Sequence, residues 1–277
     1  MFTGFNQATT LKNSNTEKDL ELAEKNQFDF FEFQMGPLKT YLMKHSLTEL
    51  KVFFDNNNIK PHALNVLEYF NLKSGKEFKE MEEEFAWMCE VAKKIGCKII
   101  ILVPSRKKGE MTYKAIKDDS IVCVNRLLDI IESGKYDIKL SYEFLGFEEF
   151  SVNNFYQCYD IVNEINDDRV GITIDCFHFY ASNSKISDLK KADGKKIFCF
   201  HVDDSKEKPL NELTDDDRVW PGDGVLPFNA IMPVIKEIGY KGVASIELFN
   251  PDYWKLGADE TVSTAKQKLD SIINKYF

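Results

Sequence analysis

The sequence predicts a single (β/α)8 TIM barrel, and three observations carry that prediction. Short β-rich runs alternate with longer amphipathic segments throughout the 277-residue chain, the pattern of repeated βα units around a parallel sheet. The strand-like runs number eight and no Pro/Gly-rich linker divides them, so residues 1–277 read as one α/β domain of ordinary barrel size. No G-x-G-x-x-G follows the first strand, which counts against the alternative, a doubly wound open sheet.

The expected strands cover residues 2–6, 28–33, 62–67, 98–103, 138–144, 170–176, 197–203 and 243–249. Eight helices are expected between and after them. Ser14-Asn15-Thr16-Glu17 and Ser46-Leu47-Thr48-Glu49 both match the capping box, in which a hydroxyl and a Glu satisfy free N–H groups of the first helical turn. Around Phe78, Met81, Phe85, Met88 and Ile95 the apolar residues recur at spacings of three and four, so that stripe should face the sheet. The last helix is expected from about Ala258 to Tyr276.

Composition bounds the function. Apolar residues at 43% and charged residues at 29% suit a globular protein with a sizeable core. A formal net charge of −9 argues against a polyanionic partner, because affinity for nucleic acid rests on neutralising phosphates with Lys and Arg. The six cysteines show no CxxC pair and fall mostly in apolar runs, so they read as reduced core residues. The opening MFTGFNQATT lacks the basic region and apolar stretch of a signal peptide, and no run reaches the length of a membrane helix. A cytoplasmic location is the expectation.

Side chains alternate across a strand, so in a barrel one parity faces the lumen and the other the helices. In 170–176 the apolar Val170, Ile172, Ile174 and Cys176 should face helices, which leaves Gly171, Thr173 and Asp175 inward. The same sorting turns Lys139, Ser141 and Glu143 inward in the fifth strand, Cys199, His201 and Asp203 in the seventh, and Ser245 and Glu247 in the eighth. Four consecutive strands therefore each offer one metal-ligand residue near the C-terminal end, where barrel enzymes build their sites: Glu143, Asp175, His201 and Glu247. Three carboxylates and an imidazole make a mostly oxygen set suited to one divalent ion, Mn²⁺, Zn²⁺, Mg²⁺ or Co²⁺. A structural zinc would use cysteine more readily.

Four further residues are candidates for contact with a small neutral substrate. His178 lies three residues beyond Asp175 and is a candidate hydrogen-bond partner of substrate. Glu32 sits at lumen phase near the end of the second strand. In the loop Arg218-Val219-Trp220-Pro221-Gly222-Asp223-Gly224, Arg218 is a candidate for a substrate hydroxyl or enolate oxygen and Trp220 for an apolar wall. Asp203 is expected to orient a neighbouring ligand. No G-x-S-x-G and no P-loop is present, which leaves serine hydrolysis and nucleotide-driven phosphoryl transfer without support.

These residues together resemble the xylose isomerase-like barrel superfamily. The segments FNQATTLKNSN, ALNVLEYFN, YEFLGF, IDCFHF, ADGKKIF, HVDD, DRVWPGDG and ELFNPDYWKL are similar to the inosose isomerases of bacterial myo-inositol catabolism, over essentially the whole chain. The resemblance implies metal ligation by Glu143, Asp175, His201 and Glu247 and a substrate contact by His178. Gln34 departs from the family's pattern, which leads us to expect Arg there, and leaves the exact polyol open. Endonuclease IV shares the ligand pattern, but its metal cluster needs histidines beyond the four in this chain.

The implied reaction, on a small polyol or keto-sugar, is proton transfer α to a ketone through an enediolate, with Glu143 and Glu247 as the catalytic acid and base. Reprotonation at the adjacent carbon is isomerisation, and reprotonation of the original carbon on its other face is epimerisation, as in a ketohexose 3-epimerase. The residues leave that choice open, and leave open a homo-oligomer and a non-catalytic polyol binder.

Overall fold

The computed structural model describes residues 1–277, and its centre is a closed barrel of eight parallel strands. In chain order these are β1 (Phe2–Asn6), β2 (Phe30–Gln34), β3 (Lys60–Leu67), β4 (Ile99–Leu102), β5 (Lys139–Glu143), β6 (Val170–Asp175), β7 (Ile197–His201) and β10 (Val243–Ile246). Each pairs with its sequence neighbours, and β1 closes the ring on β10. The remaining two, β8 (Asp204–Ser205) and β9 (Arg218–Val219), form a small antiparallel ribbon over the C-terminal rim.

Helices wrap the outside: α1 (Thr16–Lys25), α2 (Met35–Leu42), α3 (Leu47–Asn56), α4 (Gly75–Ile95), α5 (Tyr113–Ser133), α6 (Phe155–Ile165), α7 (Cys176–Ala181), α8 (Ile186–Leu189), α9 (Phe228–Glu237) and α10 (Ala258–Tyr276). That is ten rather than the expected eight, because the links between β2 and β3 and between β6 and β7 each carry two helices. The Ser46 capping box is formed, with Ser46 and Glu49 each bonded to the other's backbone N–H. The other start differs by one residue: Asn15, not Ser14, caps α1 by accepting from Lys18 N–H. Asn is as good a cap as Ser when its backbone is extended. In α4, Phe78, Met81, Phe85, Met88 and Ile95 are buried as the spacing requires.

One continuous cluster of 67 buried apolar residues fills the layer between strands and helices. All six cysteines are free and buried, five of them in this layer and Cys199 in the lumen. No helix is long and apolar enough to cross a membrane.

The expected lumen phase holds where the strands can be checked. Ser141 and Thr173 point inward together and bond through their hydroxyls at 2.7 Å, while Leu140, Tyr142, Ile172 and Ile174 are buried outward. Strand ends shift by up to three residues from expectation, most consequentially in β2. That strand runs on to Gln34, so Glu32 stands two residues, one inward layer, below the mouth.

Candidate metal centre and active-site cleft

Four strands deliver one ligand atom each to a common point. Glu143 ends β5, Asp175 ends β6, His201 ends β7 and Glu247 follows β10 directly. Their apolar neighbours of opposite phase, Tyr142 and Phe144, Ile174 and Cys176, Phe200 and Val202, Ile246 and Leu248, are all buried. Burying those flanks against the helices is what turns the polar residue between them into the lumen. The four ligand atoms lie within 4.8 Å of one another. His201 Nδ1 stands 3.0 Å from Glu247 Oε2, 3.2 Å from Glu143 Oε1 and 3.8 Å from Asp175 Oδ2.

The electrostatics of this point call for a cation. Burial pushes the Glu143 carboxyl up to about 7, with Glu247 and Asp175 adding to the rise and His201 opposing it. Burial works against a charged His201, yet the surrounding carboxylates, Glu247 foremost, hold its proton affinity well above the ordinary imidazole range. Near neutral pH the cluster thus competes for protons where one divalent ion would balance the same charge. An oxygen-rich set with a single imidazole fits a hard or borderline divalent metal, and the donors present meet that requirement.

A second tier of side chains orients the ligands. Asp175 Oδ1 caps α7 by accepting His178 N–H at 2.7 Å, and its Oδ2 pairs with the buried guanidinium of Arg218. Burial would raise the Asp175 carboxyl, but Arg218 outweighs it and draws it down to about 2. Arg218 also pairs with Asp203 and sits 3.0 Å from Asp215, with its guanidinium over the rings of Phe177 and Phe249. Asp203 makes no hydrogen bond to a ligand residue. It holds Arg218 and accepts Phe177 N–H at 2.9 Å.

His178 is placed by a close approach. Gly146 N–H donates to His178 Nδ1 at 3.1 Å, and a Cβ on Gly146 would lie 2.4 Å from the His178 carbonyl oxygen, so only glycine lets the two segments meet. The other ring nitrogen, Nε2, faces Arg218 Nη2 at 3.1 Å and Asp215 at 3.9 Å. A cleft of about 880 Å³ opens above the ligands, and Glu143, Glu247, His178, Arg218, Gln34 and Asn65 all line it. Its size and polar floor suit a small polyol.

Two expected substrate contacts lie elsewhere. Glu32 is fully buried and is not part of the cleft wall. Its Oε2 meets His201 Nε2 at 3.1 Å, and its Oε1 accepts from Cys199 Sγ at 3.2 Å. Burial would raise this carboxyl, and His201 brings it down to about 2. The cause is the β2 register: Gln34, two residues further, takes the mouth position. Trp220 is also absent from the wall, because its ring stacks on Tyr253 at 4.3 Å and is 6% exposed.

Asn6 and Asn65 escaped the sequence reading, and Gln34 was noted there only as a departure from the family's pattern. Asn6, Asn65 and Gln34 converge on Glu247 from β1, β3 and β2. The signal that would have found them is the same lumen phase, applied to uncharged strand ends in the first half of the chain.

Comparison with known proteins agrees with this architecture. Residues 20–272 match the family model described as xylose isomerase-like TIM barrel. The chain is 45% identical over 274 residues to the inosose isomerase of Bacillus licheniformis, covering 99% of this chain and 98% of that one. It is 44% identical to the inosose isomerase of Bacillus subtilis, again over 99% and 98% of the two chains. A crystal structure of the IolI protein with a bound zinc atom superposes with a TM-score of 0.97 at 44% identity, covering 100% of this chain and 99% of that one.

Proposed function

The chain belongs to the xylose isomerase-like TIM barrel family and to the inosose isomerases within it, and from that premise we propose that it isomerises an inosose, 2-keto-myo-inositol, with the aid of one divalent metal ion. The observation that carries this reading is the convergence of Glu143, Asp175, His201 and Glu247 within 4.8 Å under a polyol-sized cleft. These four residues would hold the ion, with zinc the first candidate because a close relative binds it. A cation there supplies positive charge at the ketone oxygen while the neighbouring carbon loses its proton.

The chain's own residues supply the rest. His178 and Arg218 present side-chain nitrogens to the cleft and orient ring hydroxyls. Glu143 and Glu247 stand on the cleft floor within reach of a carbon-bound proton, which carboxylates of this kind move as general acid and base. Asp203 keeps Arg218 in place. We take residues 1–277 as one barrel unit acting on a small molecule in the cytoplasm, and the net charge of −9 disfavours a nucleic-acid substrate.

NMR of metal-loaded protein with 2-keto-myo-inositol in D₂O tests the proposal. A new ketone carrying deuterium at the exchanged carbon is expected, and an EDTA-stripped control should lose it. Absence of exchange with this inosose, alongside exchange with ketohexoses, would replace the substrate. No exchange with any of them would sink the isomerase reading.

A further inference from the structure

Glu143 and Glu247 carry the same charge in unequal surroundings. Glu247 Oε1 accepts from Asn65 Nδ2 at 2.8 Å and Asn6 Nδ2 at 2.9 Å, with Gln34 Nε2 at 3.5 Å. Its Oε2 is turned to the ligand point, 3.0 Å from His201 Nδ1. The Asn6 amide cannot turn over, because its Oδ1 accepts Ala8 N–H at 2.9 Å and Gln34 Nε2 at 3.0 Å. Its Nδ2 is thereby aimed at Glu247 and, at 3.1 Å, at Glu32 Oε2, the oxygen that also meets His201. One asparagine therefore braces two groups around the same histidine.

Glu143 has no such set. Its one side-chain contact is Oε1 to His201 Nδ1 at 3.2 Å, its flanking residues Tyr142 and Phe144 face the apolar layer, and the carboxylate lines the cleft. A carboxylate oxygen offers about two lone-pair sites. Two close amide donors fill those of Glu247 Oε1, and Oε2 is committed to the ligand point, whereas Glu143 Oε2 has no protein partner.

We propose that Asn6 and Asn65, with Gln34, hold Glu247 as a fixed ligand, so that Glu143 alone carries the carbon-bound proton and carries it on one face of the substrate. This rests on the isomerase reading above and sharpens it. A Glu143 oxygen bonds the proton on the carbon beside the ketone. That C–H pair becomes the C=C bond of an enediol, and the carbonyl π pair moves to its oxygen. The hydroxyl proton of the first carbon then passes to that oxygen as the carbonyl forms on the first carbon. The C=C pair takes a proton back from Glu143 at the second carbon, a deuteron in D₂O wherever the Glu143 proton has exchanged with water in the cleft it lines. Glu143 is regenerated, no redox partner is needed, and the ketone has moved by one position. Epimerisation needs a proton donor on the opposite face, which a tied Glu247 does not provide. Asn6 and Asn65 are positioning residues in this scheme.

The test begins with the wild-type protein and 2-keto-myo-inositol in D₂O, reading from NMR couplings the face on which deuterium enters the new C–D centre. Entry on the face that lost the proton is expected, and entry on the other face overturns the proposal. Two variants follow, each checked for folding by circular dichroism. Glu143→Gln at saturating metal should lower exchange by roughly 10³-fold or more, and survival within tenfold overturns it. Asn65→Leu should weaken metal binding roughly 10-fold in chelator competition and lower kcat with KM little changed, whereas unchanged metal affinity removes Asn65 from its role. If the wild type forms no new ketone from the inosose, the failure belongs to the functional assignment instead.

Discussion

The two halves of the barrel mouth are built from different chemistry. Strands β5, β6, β7 and β10 bring the ionisable candidate ligands Glu143, Asp175, His201 and Glu247. Strands β1, β2 and β3 bring amides, Asn6, Gln34 and Asn65, which donate to Glu247. Glu32 is the one acid from the amide half that reaches the centre, and it arrives beneath His201 rather than beside the cleft. The difference teaches that one half of a symmetric-looking scaffold holds the charge and the other fixes where that charge points. Carboxylates supply the negative charge that balances a divalent cation, while their orientation needs only directional donors, which amides provide without adding to the repulsion.

The comparison breaks most sharply on removal of a ligand. Asp175→Asn withdraws one of three anions and leaves the buried Arg218 with less counter-charge, so metal affinity should fall by about 10³-fold or more and turnover with it. Isothermal titration with zinc or manganese on the folded variant measures this. An affinity within tenfold of wild type would mean that the carboxylate half does not hold the ion.

The amide half should respond to pH in its own way. Asp19 Oδ2 accepts from Gln7 Nε2 at 2.9 Å, and Gln7 Oε1 accepts Gln34 N–H at 3.3 Å, so the amide wall is anchored on a buried carboxyl. Burial raises Asp19 from 3.8 to about 6. Its folded pKa lies above the unfolded one, so the native chain binds the extra proton between those values. The Asp19 contribution to stability therefore grows as pH falls through 6, levels off below 3.8, and is lost again as pH rises, by up to about 3 kcal/mol. Asp19→Asn should flatten this slope in urea titrations run from pH 4 to 7, and an unchanged slope would place the effect elsewhere.

Glu32→Gln makes the smallest change. It keeps the shape at His201 Nε2 but removes the charge that fixes the ring, so metal affinity should drop by about 10–100-fold, with KM near wild type because Glu32 does not line the cleft. A selective rise in KM would instead return Glu32 to the substrate wall.

Much of this was legible in the chain. Strand number, parallel order and the inward phase of Glu143, Asp175, His201 and Glu247 follow from alternation along each strand, which is a local property of covalent geometry. The two helix starts read from capping boxes were legible to within a residue for the same reason, as the Ser46 box shows and the Asn15 cap qualifies. His178, three residues past the end of β6, and Arg218, in the Pro/Gly loop that the sequence singles out, both line the cleft.

What the tertiary structure alone decided is how far up the barrel each inward residue stands and which neighbour it meets. Glu32 and Gln34 share a phase, and only the pairing of β2 with its neighbours, Glu32 beside Asn6 and Gln34 beside Asn65, fixes the first under His201 and the second at the mouth. Trp220 turns to Tyr253 because the ribbon of β8 and β9 folds its loop over the rim. Asn6, Asn65 and Glu247 lie up to 241 residues apart and meet because ring closure sets β1 between β10 and β2, with β3 next in order. Phase is set by each residue's immediate neighbours, whereas height and partnership depend on inter-strand register and closure, which no single segment contains.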